Sequence, residues 1–264
     1  MLTVASRLNP PLKWAGGKRW LIPHLLPLWE QYTDYRLVEP FCGGLAVSLG
    51  LAPKRALLND INPHLLNFYR WLQKGLVISS EMENEKETYY RARARFNALI
   101  KTVERDSKEA AGLFYYLNRT GYNGLCRFNR KGEFNVPFGR YKRINYVRDF
   151  RDYAPLLQRW EFELGDFTAL ETSSGDFVYA DPPYDVEFTQ YAQQGFSWDD
   201  QVRLAQWLHA HPGPVVASNQ ASDRIVELYG DLGFTLTFLD APRRIACTGD
   251  RTPAREILAL KLNA

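Results

Sequence analysis

The chain has 264 residues, 45% of them hydrophobic and 24% charged, with a formal net charge of only +3. That composition fits a globular protein with one sizeable core, or a core with an inserted subdomain, and excludes a disordered or fibrous chain. There is no run near the ~20 apolar residues of a membrane span, no apolar signal region after Met1, and no metal or disulfide spacing among Cys42, Cys126, Cys247 and the four histidines, so a soluble, cytoplasmic, metal-free protein is expected.

The first informative segment is Leu12-Lys13-Trp14-Ala15-Gly16-Gly17-Lys18, which combines an aromatic plate, a flexible glycine pair and two cations. Trp14 suits covering a ligand and Lys18 suits pairing with a carboxylate; a basic loop with a buried Trp is the plain alternative. A helical pattern from Trp20 to Gln31 leads to an apolar strand, Arg36 to Glu39, and then to Glu39-Pro40-Phe41-Cys42-Gly43-Gly44. Small residues between a strand and the helix that follows (Ala46 to Leu51) let backbone approach a ligand and leave N–H groups exposed. A simple tight turn would look the same. The next strand, Arg55 to Asn59, ends at Asp60, nineteen residues after Phe41. Nucleoside-binding α/β folds place an acid against ribose hydroxyls at about this spacing. The competing reading is that Asp60 or Asn62 caps the helix running from Pro63 to Lys74.

Strand–helix alternation stops between about Leu72 and Tyr153. A charged helical stretch (Glu81 to Arg105) and a second helix ending near Leu117 precede short alternating segments through Tyr141, with turn signals at Asn123-Gly124 and Lys131-Gly132. This block reads as an inserted helical bundle carrying a β-hairpin over about 121–141. From Arg119 to Arg148 it holds eight Lys or Arg residues against one acid, Glu133. Such a segment is the footprint of a phosphate-contacting surface, or else a solvated basic face.

Strands resume at Phe162 to Leu164, followed by Gly165-Asp166-Phe167. The acid there suits contact with the adenine end of a nucleoside, or a helix cap. The run Phe177-Val178-Tyr179-Ala180 then delivers Asp181-Pro182-Pro183-Tyr184 to the carboxyl edge of the sheet, where open α/β folds hold ligands. The prolines fix φ and remove two donors, leaving the carbonyls on either side free to accept. Asp181 and the Pro182 carbonyl together can take both hydrogens of an exocyclic amine, and Tyr184 offers a face for stacking. An ordinary strand end that turns is the alternative. Helices from Trp198 to His209 and Ser222 to Leu232 flank a strand at Pro214 to Ser218. Thr235 to Leu239 and Glu256 to Leu262 are spaced as a closing antiparallel pair. The expected architecture is a doubly wound, mostly parallel, seven-stranded α/β sheet of Rossmann-like type. Residues 1–71 and 152–264 would form it, with 72–151 inserted.

Four blocks carry a resemblance that runs nearly end to end: LKWAGGK (12–18), VEPFCGG (38–44), LNRTGYNGLCRFNRKGEFNVPFGRY (117–141) and ADPPY (180–184), with RRIACTGDRTPAREIL (243–258) fitting as well. The chain resembles the Dam family of DNA adenine-N6 methyltransferases. The resemblance implies S-adenosylmethionine as cofactor and adenine in double-stranded DNA, within GATC, as substrate. It implies no metal and no obligatory protein partner, although some such enzymes accompany a restriction endonuclease. Trp14, Lys18, Phe41, Gly43, Asp60, Asp166, Phe167 and Asp181 match cofactor-pocket positions, with Lys18 toward the methionine carboxylate and Asp60 toward the ribose. Asp181, Pro182 and Tyr184 match the target-base pocket. In the hairpin, Arg127 would read a guanine, Leu125 and Pro137 would meet a thymine methyl, and Tyr122 would wedge into the stack. Asn123 and Asn135 would position the backbone, and Lys13 would reach the first guanine. One departure stands out: the family's turn commonly reads Phe-x-Gly-x-Gly, and Leu45 occupies the last glycine position here, beside Gly44. The residues alone also allow an amino-methyltransferase acting on cytosine N4, RNA adenine or a protein amide, or a DNA-binding module without catalysis.

Overall fold

A computed structural model describes residues 8–80, 82–184, 196–242 and 254–262. Seven strands hydrogen-bond in the order β3-β2-β1-β4-β5-β7-β6. They are β1 (Arg36–Glu39), β2 (Ala56–Asp60), β3 (Trp160–Leu164), β4 (Asp176–Ala180), β5 (Val215–Gln220), β6 (Thr235–Ala241) and β7 (Ala254–Lys261). The pairs β1–β2, β1–β4 and β4–β5 are parallel, whereas β7 runs antiparallel between β5 and β6. The mostly parallel, doubly wound sheet expected from the alternation is therefore present. Continuous apolar runs mark its middle: every residue of β4 is buried, because parallel strands are covered on both faces. The last-placed strands, β3 and β6, alternate or face solvent.

The helices are α1 (Ile22–Trp29), α2 (Ala46–Leu51), α3 (Pro63–Gln73), α4 (Lys86–Leu99), α5 (Lys108–Thr120), α6 (Ala154–Leu157), α7 (Trp198–Ala210) and α8 (Asp223–Asp231). Local signals explain their starts. Asn62 caps α3 ahead of Pro63, Ser107 caps α5 through the Ala110 N–H, and Ser197 with Asp200 forms a reciprocal capping box on α7. The charged stretch expected to be helical from 81 to 105 is shorter. Among the described residues α4 spans Lys86–Leu99, and a separate 3₁₀ turn at Val103–Asp106 follows Thr102, whose extended backbone ends the helical path.

The chain packs as two compact units. The first takes the described residues up to Arg19, Gly43–Ala52 and Asp60–Leu164; the second takes Trp20–Cys42, Pro53–Asn59 and the described residues from Gly165 onward. In the first, α3 lies against α5 through Phe68 and Tyr115, stacked at 5.6 Å, with Phe150 edge-on to both. The boundaries expected at 71/72 and 151/152 both fall inside this unit, since Gln73 of α3 donates to the carbonyls of Leu157 and Trp160. In the second, Val38, Val178, Val215 and Ala217 of the sheet pack with Leu204 and Leu208 of α7 and Ile225 and Tyr229 of α8.

Candidate active site

In the first unit, the glycine turn and the end of β2 are tied together by Asp60. Its two oxygens accept from the backbone N–H of Gly43 at 3.2 Å and of Asn62 at 2.9 Å. Burial pushes the Asp60 carboxyl above its ordinary range, against the opposing pull of the Asn62, Gly43 and Ile61 backbone donors. The helix-capping alternative is resolved: Asn62 is the cap, its side-chain oxygen accepting from His64 and Leu65 N–H. Asp60 is left as an acceptor beside the turn, with lone pairs beyond those two bonds. The Tyr69 hydroxyl donates to the Gly43 carbonyl and pins the same turn from α3.

Trp14 lies on this turn. A Cβ added at Gly43 would sit 2.8 Å from its Nε1, and one added at Gly44 would sit 2.8 Å from its Cβ. Gly43 also has φ +44°, so it is glycine for two reasons, whereas Gly44 is needed only for the indole's close approach. The left-handed position is taken instead by Leu45, at φ +60° and fully buried. The last glycine of that turn pattern is thus replaced by a strained Leu, whose burial, worth about 1.5–3 kcal/mol, outweighs a left-handed cost of about 1–2 kcal/mol. Lys18 is buried, at 3% exposure.

The hairpin segment of this unit is less regular than expected. Isolated antiparallel bridges at Gly121–Phe138 and Phe128–Phe134 replace continuous strands. Side chains from α4 stand in for a neighbouring strand. Asn97 donates to the Phe134 carbonyl at 3.1 Å and accepts from the Phe134 N–H at 2.8 Å, and Tyr89 and Arg93 both donate to the Val136 carbonyl. The expected turn at Asn123-Gly124 is present, both residues having positive φ. On this scaffold Arg127 is exposed and lies across the hairpin on Asn135, donating from Nε to Oδ1 at 2.8 Å and from Nη2 to the carbonyl at 3.4 Å. Asn135 therefore holds the Arg127 side chain as well as the backbone, since its N–H donates to the Arg127 carbonyl. Tyr122 is 50% exposed. With Pro137, Lys86, Tyr90 and Arg140 it lines a hollow of about 460 Å³. Asn123 is also exposed, and Leu125 is half-buried. Cys126 accepts from the Asn62 side-chain amide at 3.3 Å, and burial pushes its thiol up to about 12.

Lys13 joins the same surface. Its Nζ donates to the Arg119 carbonyl at 2.9 Å and sits 3.6 Å from the centre of the Tyr141 ring, while its backbone is clasped by the Asn118 amide. A Cβ at Gly124 would lie 2.3 Å from the Lys13 Cβ, so only glycine fits there. Burial, then the Arg119 charge, lowers the Lys13 ammonium to about 8. The resemblance gives this lysine a DNA contact, which requires its charged form and favours it. Binding therefore takes up a proton once pH exceeds about 8. Affinity for duplex DNA is expected to fall by up to about tenfold between pH 7 and 9, and Lys13→Met should flatten that profile in a fluorescence-anisotropy titration.

In the second unit, Phe41 packs edge-on to Phe196 at 5.4 Å and tilted on Phe167 at 5.7 Å. Phe167 itself is buried beneath the Arg203 guanidinium. Asp166 makes the cap that the sequence offered as an alternative: it accepts from the Thr168 N–H and hydroxyl. It also forms a two-pronged ion pair with Arg203 at 3.1 and 2.9 Å. Arg203 was not anticipated, although its α7 position six residues after Ser197 places it early on that helix.

Asp181-Pro182-Pro183-Tyr184 follows β4 as expected and is held on several sides. The Ser218 hydroxyl donates to Asp181 Oδ1 at 2.9 Å, and the Tyr179 hydroxyl lies 2.9 Å from Ser218 Oγ. The Pro183 carbonyl is not free, a correction to the sequence reading. It accepts from Gln201 Nε2 at 2.8 Å, and the Asn219 amide donates to Gln201 Oε1 at 3.0 Å. Burial first, then the charges of Asp181 and Glu256, raises the Tyr184 phenol well above its ordinary range, and a hydrogen bond to Glu256 anchors it. Sequence reasoning missed Ser218, Asn219, Gln201 and Glu256. The polar trio Ser218-Asn219-Gln220, ending an apolar strand at the sheet's carboxyl edge, was the available signal. Of the resembling tail block, 243–253 lies outside the described residues.

No group of three or more His, Cys, Asp or Glu among the described residues is placed to hold a metal, and no described helix is long and apolar enough to cross a membrane. The family model for D12 class N6 adenine-specific DNA methyltransferases matches residues 14–244. The Retron Ec67 DNA adenine methylase of Escherichia coli is 37% identical over 94% of this chain and 90% of its own length. The type II methyltransferase M1.LlaDCHI of Lactococcus lactis subsp. cremoris is 38% identical over 89% of each chain. Among solved structures, a SAM-dependent methyltransferase from Methanosarcina mazei aligns with a TM-score of 0.41 at 13% identity, over 90% of this chain and 98% of that one, too distant to argue from. The length and identity of the sequence matches, on a chain whose β4 ends in Asp-Pro-Pro-Tyr, show that it belongs to the D12 class of N6 adenine-specific DNA methyltransferases.

Proposed function

We infer that this DNA adenine methyltransferase acts on the adenine of GATC, after flipping it out of the duplex into a pocket made by Asp181, Pro182 and Tyr184. The observation that carries the base pocket is the anchored strand end, with a carboxylate, a carbonyl and an aromatic ring in four consecutive residues. Adenine N6 is a weak nucleophile because its lone pair is delocalised into the ring. Accepting both N6 hydrogens, one at Asp181 and one at the Pro182 carbonyl, returns electron density to nitrogen and favours tetrahedral attack. Extruding the base costs a few kcal/mol, which stacking on Tyr184, worth about 1–3 kcal/mol, offsets.

The methyl donor is S-adenosylmethionine, which supplies a methyl group already activated by its sulfonium. The residues present fit it: a half-buried carboxylate at Asp60 with acceptor capacity for ribose hydroxyls, beside a glycine turn against which Trp14 packs. Asp60 would hold the ribose, Lys18 the methionine carboxylate, and Trp14, Phe41, Gly43, Asp166 and Phe167 the remainder. What this chain must do is orient donor and base so that the reacting atoms lie about 3–3.5 Å apart in line. Asp181 needs to be no strong base, since the N6 proton becomes acidic only as the methyl bonds.

Site choice falls to the hairpin of a target-recognition insertion over 72–151. Arg127, exposed and held on Asn135, suits the two acceptors of a guanine edge. Leu125 and Pro137 suit a thymine methyl, Tyr122 the gap left by the extruded base, Asn123 the backbone, and Lys13 the first guanine. The enzyme would work in the cytoplasm on chromosomal or phage DNA, alone or beside a restriction enzyme. Nucleoside mass spectrometry of DNA treated with the protein tests the base: N6-methyladenine is expected, and N4-methylcytosine in its place would contradict the pocket assignment.

A further inference from the structure

We propose that Ser218, backed by Tyr179, is a positioning residue for methyl transfer: it donates to one oxygen of Asp181 and so fixes the orientation of the carboxylate that meets the target amine. The proposal rests on the reading of Asp181 as an acceptor for the target amine.

Hydrogen counting sets the direction of the chain. Ser218 has one hydroxyl hydrogen, and a carboxylate oxygen can only accept, so that hydrogen lies on Asp181 Oδ1 at 2.9 Å. The bond between Tyr179 and Ser218, also 2.9 Å, must then run from the phenol to Ser218 Oγ. Burial, followed by the Asp181 charge, keeps the Tyr179 phenol protonated and able to donate. Ser218 and Tyr179 are each 1% exposed, so water does not compete for either bond. The order is Tyr179 to Ser218 to Asp181, with every hydrogen pointing toward the carboxylate.

This chain ends in the core, and that decides what it does. Ser218 already accepts from Tyr179, and Tyr179 has no solvent contact, so no proton can leave by this path. Once the N6 lone pair has bonded the methyl carbon and the sulfonium has kept the electrons of the broken bond, the proton lost from N6 passes to the outer side of Asp181 and to water. Ser218 therefore orients Asp181 and stabilises its negative charge.

A second contact grips the same loop from the other face. Successive strand residues point to opposite sides, so Asn219 faces away from Ser218. It orients Gln201, which donates to the Pro183 carbonyl at 2.8 Å. Asn219 and Gln201 are fully buried. Oδ1 of Asp181 and the carbonyl of Pro183 are both engaged, which holds the strand end from two faces. The base pocket is thus set before substrate arrives, which is the form of electrostatic preorganisation that raises kcat.

The test is steady-state and pH-dependent methylation of a GATC duplex by the full chain and its Ser218→Ala, Ser218→Thr, Tyr179→Phe and Asp181→Asn variants, with AdoMet affinity measured by calorimetry. Loss of a charge-assisted hydrogen bond should lower kcat of Ser218→Ala by about ten- to a hundredfold, with AdoMet affinity little changed. The acid limb of the kcat profile should move to higher pH, because the unsupported carboxylate protonates more readily. Ser218→Thr, which keeps the hydroxyl, should recover most of the rate, and Tyr179→Phe should lose less than Ser218→Ala. The proposal is overturned if Ser218→Ala keeps the wild-type kcat and acid limb, if kcat falls while the limb stays in place, or if Thr is as poor as Ala. If Asp181→Asn is as active as wild type, the reading of Asp181 itself fails. An impaired Asp181→Asn beside an indifferent Ser218→Ala overturns only the role of Ser218.

Discussion

Replacing Asp181 by Ala is expected to lower methyl transfer by at least about 10³-fold, within the range for losing a positioned catalytic group, while AdoMet binding stays measurable in calorimetry. The carboxylate does two things that Ala cannot. In the proposed pocket it accepts one N6 hydrogen and lies where the proton must leave after the methyl bonds. Asp181→Asn should be about as poor, because an amide oxygen that accepts from Ser218 leaves its NH2 facing N6, where it cannot accept a hydrogen. Both variants should therefore fall far below wild type in a tritium-transfer assay. An Asp181→Ala protein within about tenfold of wild type would remove this residue from the chemistry.

Replacing Arg127 by Ala is expected to cost about 1–3 kcal/mol of discrimination at one guanine-containing base pair, with smaller losses at the other positions of the site. The guanidinium is exposed, yet two contacts to Asn135 restrain it, so little ordering remains when it meets a base edge. Asn135→Ala should accordingly relax the same base pair by a smaller amount. The measurement is kcat/KM on duplexes carrying each single-base variant of GATC. A uniform loss across all variants would make Arg127 a phosphate contact instead.

Much of this protein is legible in its sequence where a single local force dominates. The apolar run at Arg36–Glu39 and the short helix at Ala46–Leu51 occur where the pattern puts them, because a buried parallel strand and a helix beneath a glycine turn leave few alternatives. The Asp-Pro-Pro-Tyr strand end was equally plain. Legibility fails where two residues compete for one role, or where partners lie far apart in the chain. Asp60 and Asn62 could each have capped α3, and only the backbone at Asn62, extended and followed by two N–H groups on its side chain, assigns the cap. Ser218 and Asp181 are 37 residues apart, as Gln201 and Pro183 are 18 apart, and no periodicity links them. The hairpin was read from alternation and local turn signals, but Asn97, 37 residues upstream of Phe134, supplies bonds that a strand would otherwise make. Leu45 could be recognised as a departure, but its φ of +60° explains why glycine is usual there.

The proposed methylation of adenine N6 within GATC is tested by expressing the protein in cells that lack GATC methylation and digesting their DNA with an endonuclease that cuts only N6-methylated GATC. Complete cleavage is expected with the wild-type protein and none with Asp181→Ala. DNA that stays uncut while carrying N6-methyladenine elsewhere would contradict the assigned site, and DNA with no new N6-methyladenine at all would contradict the account of the catalytic pocket.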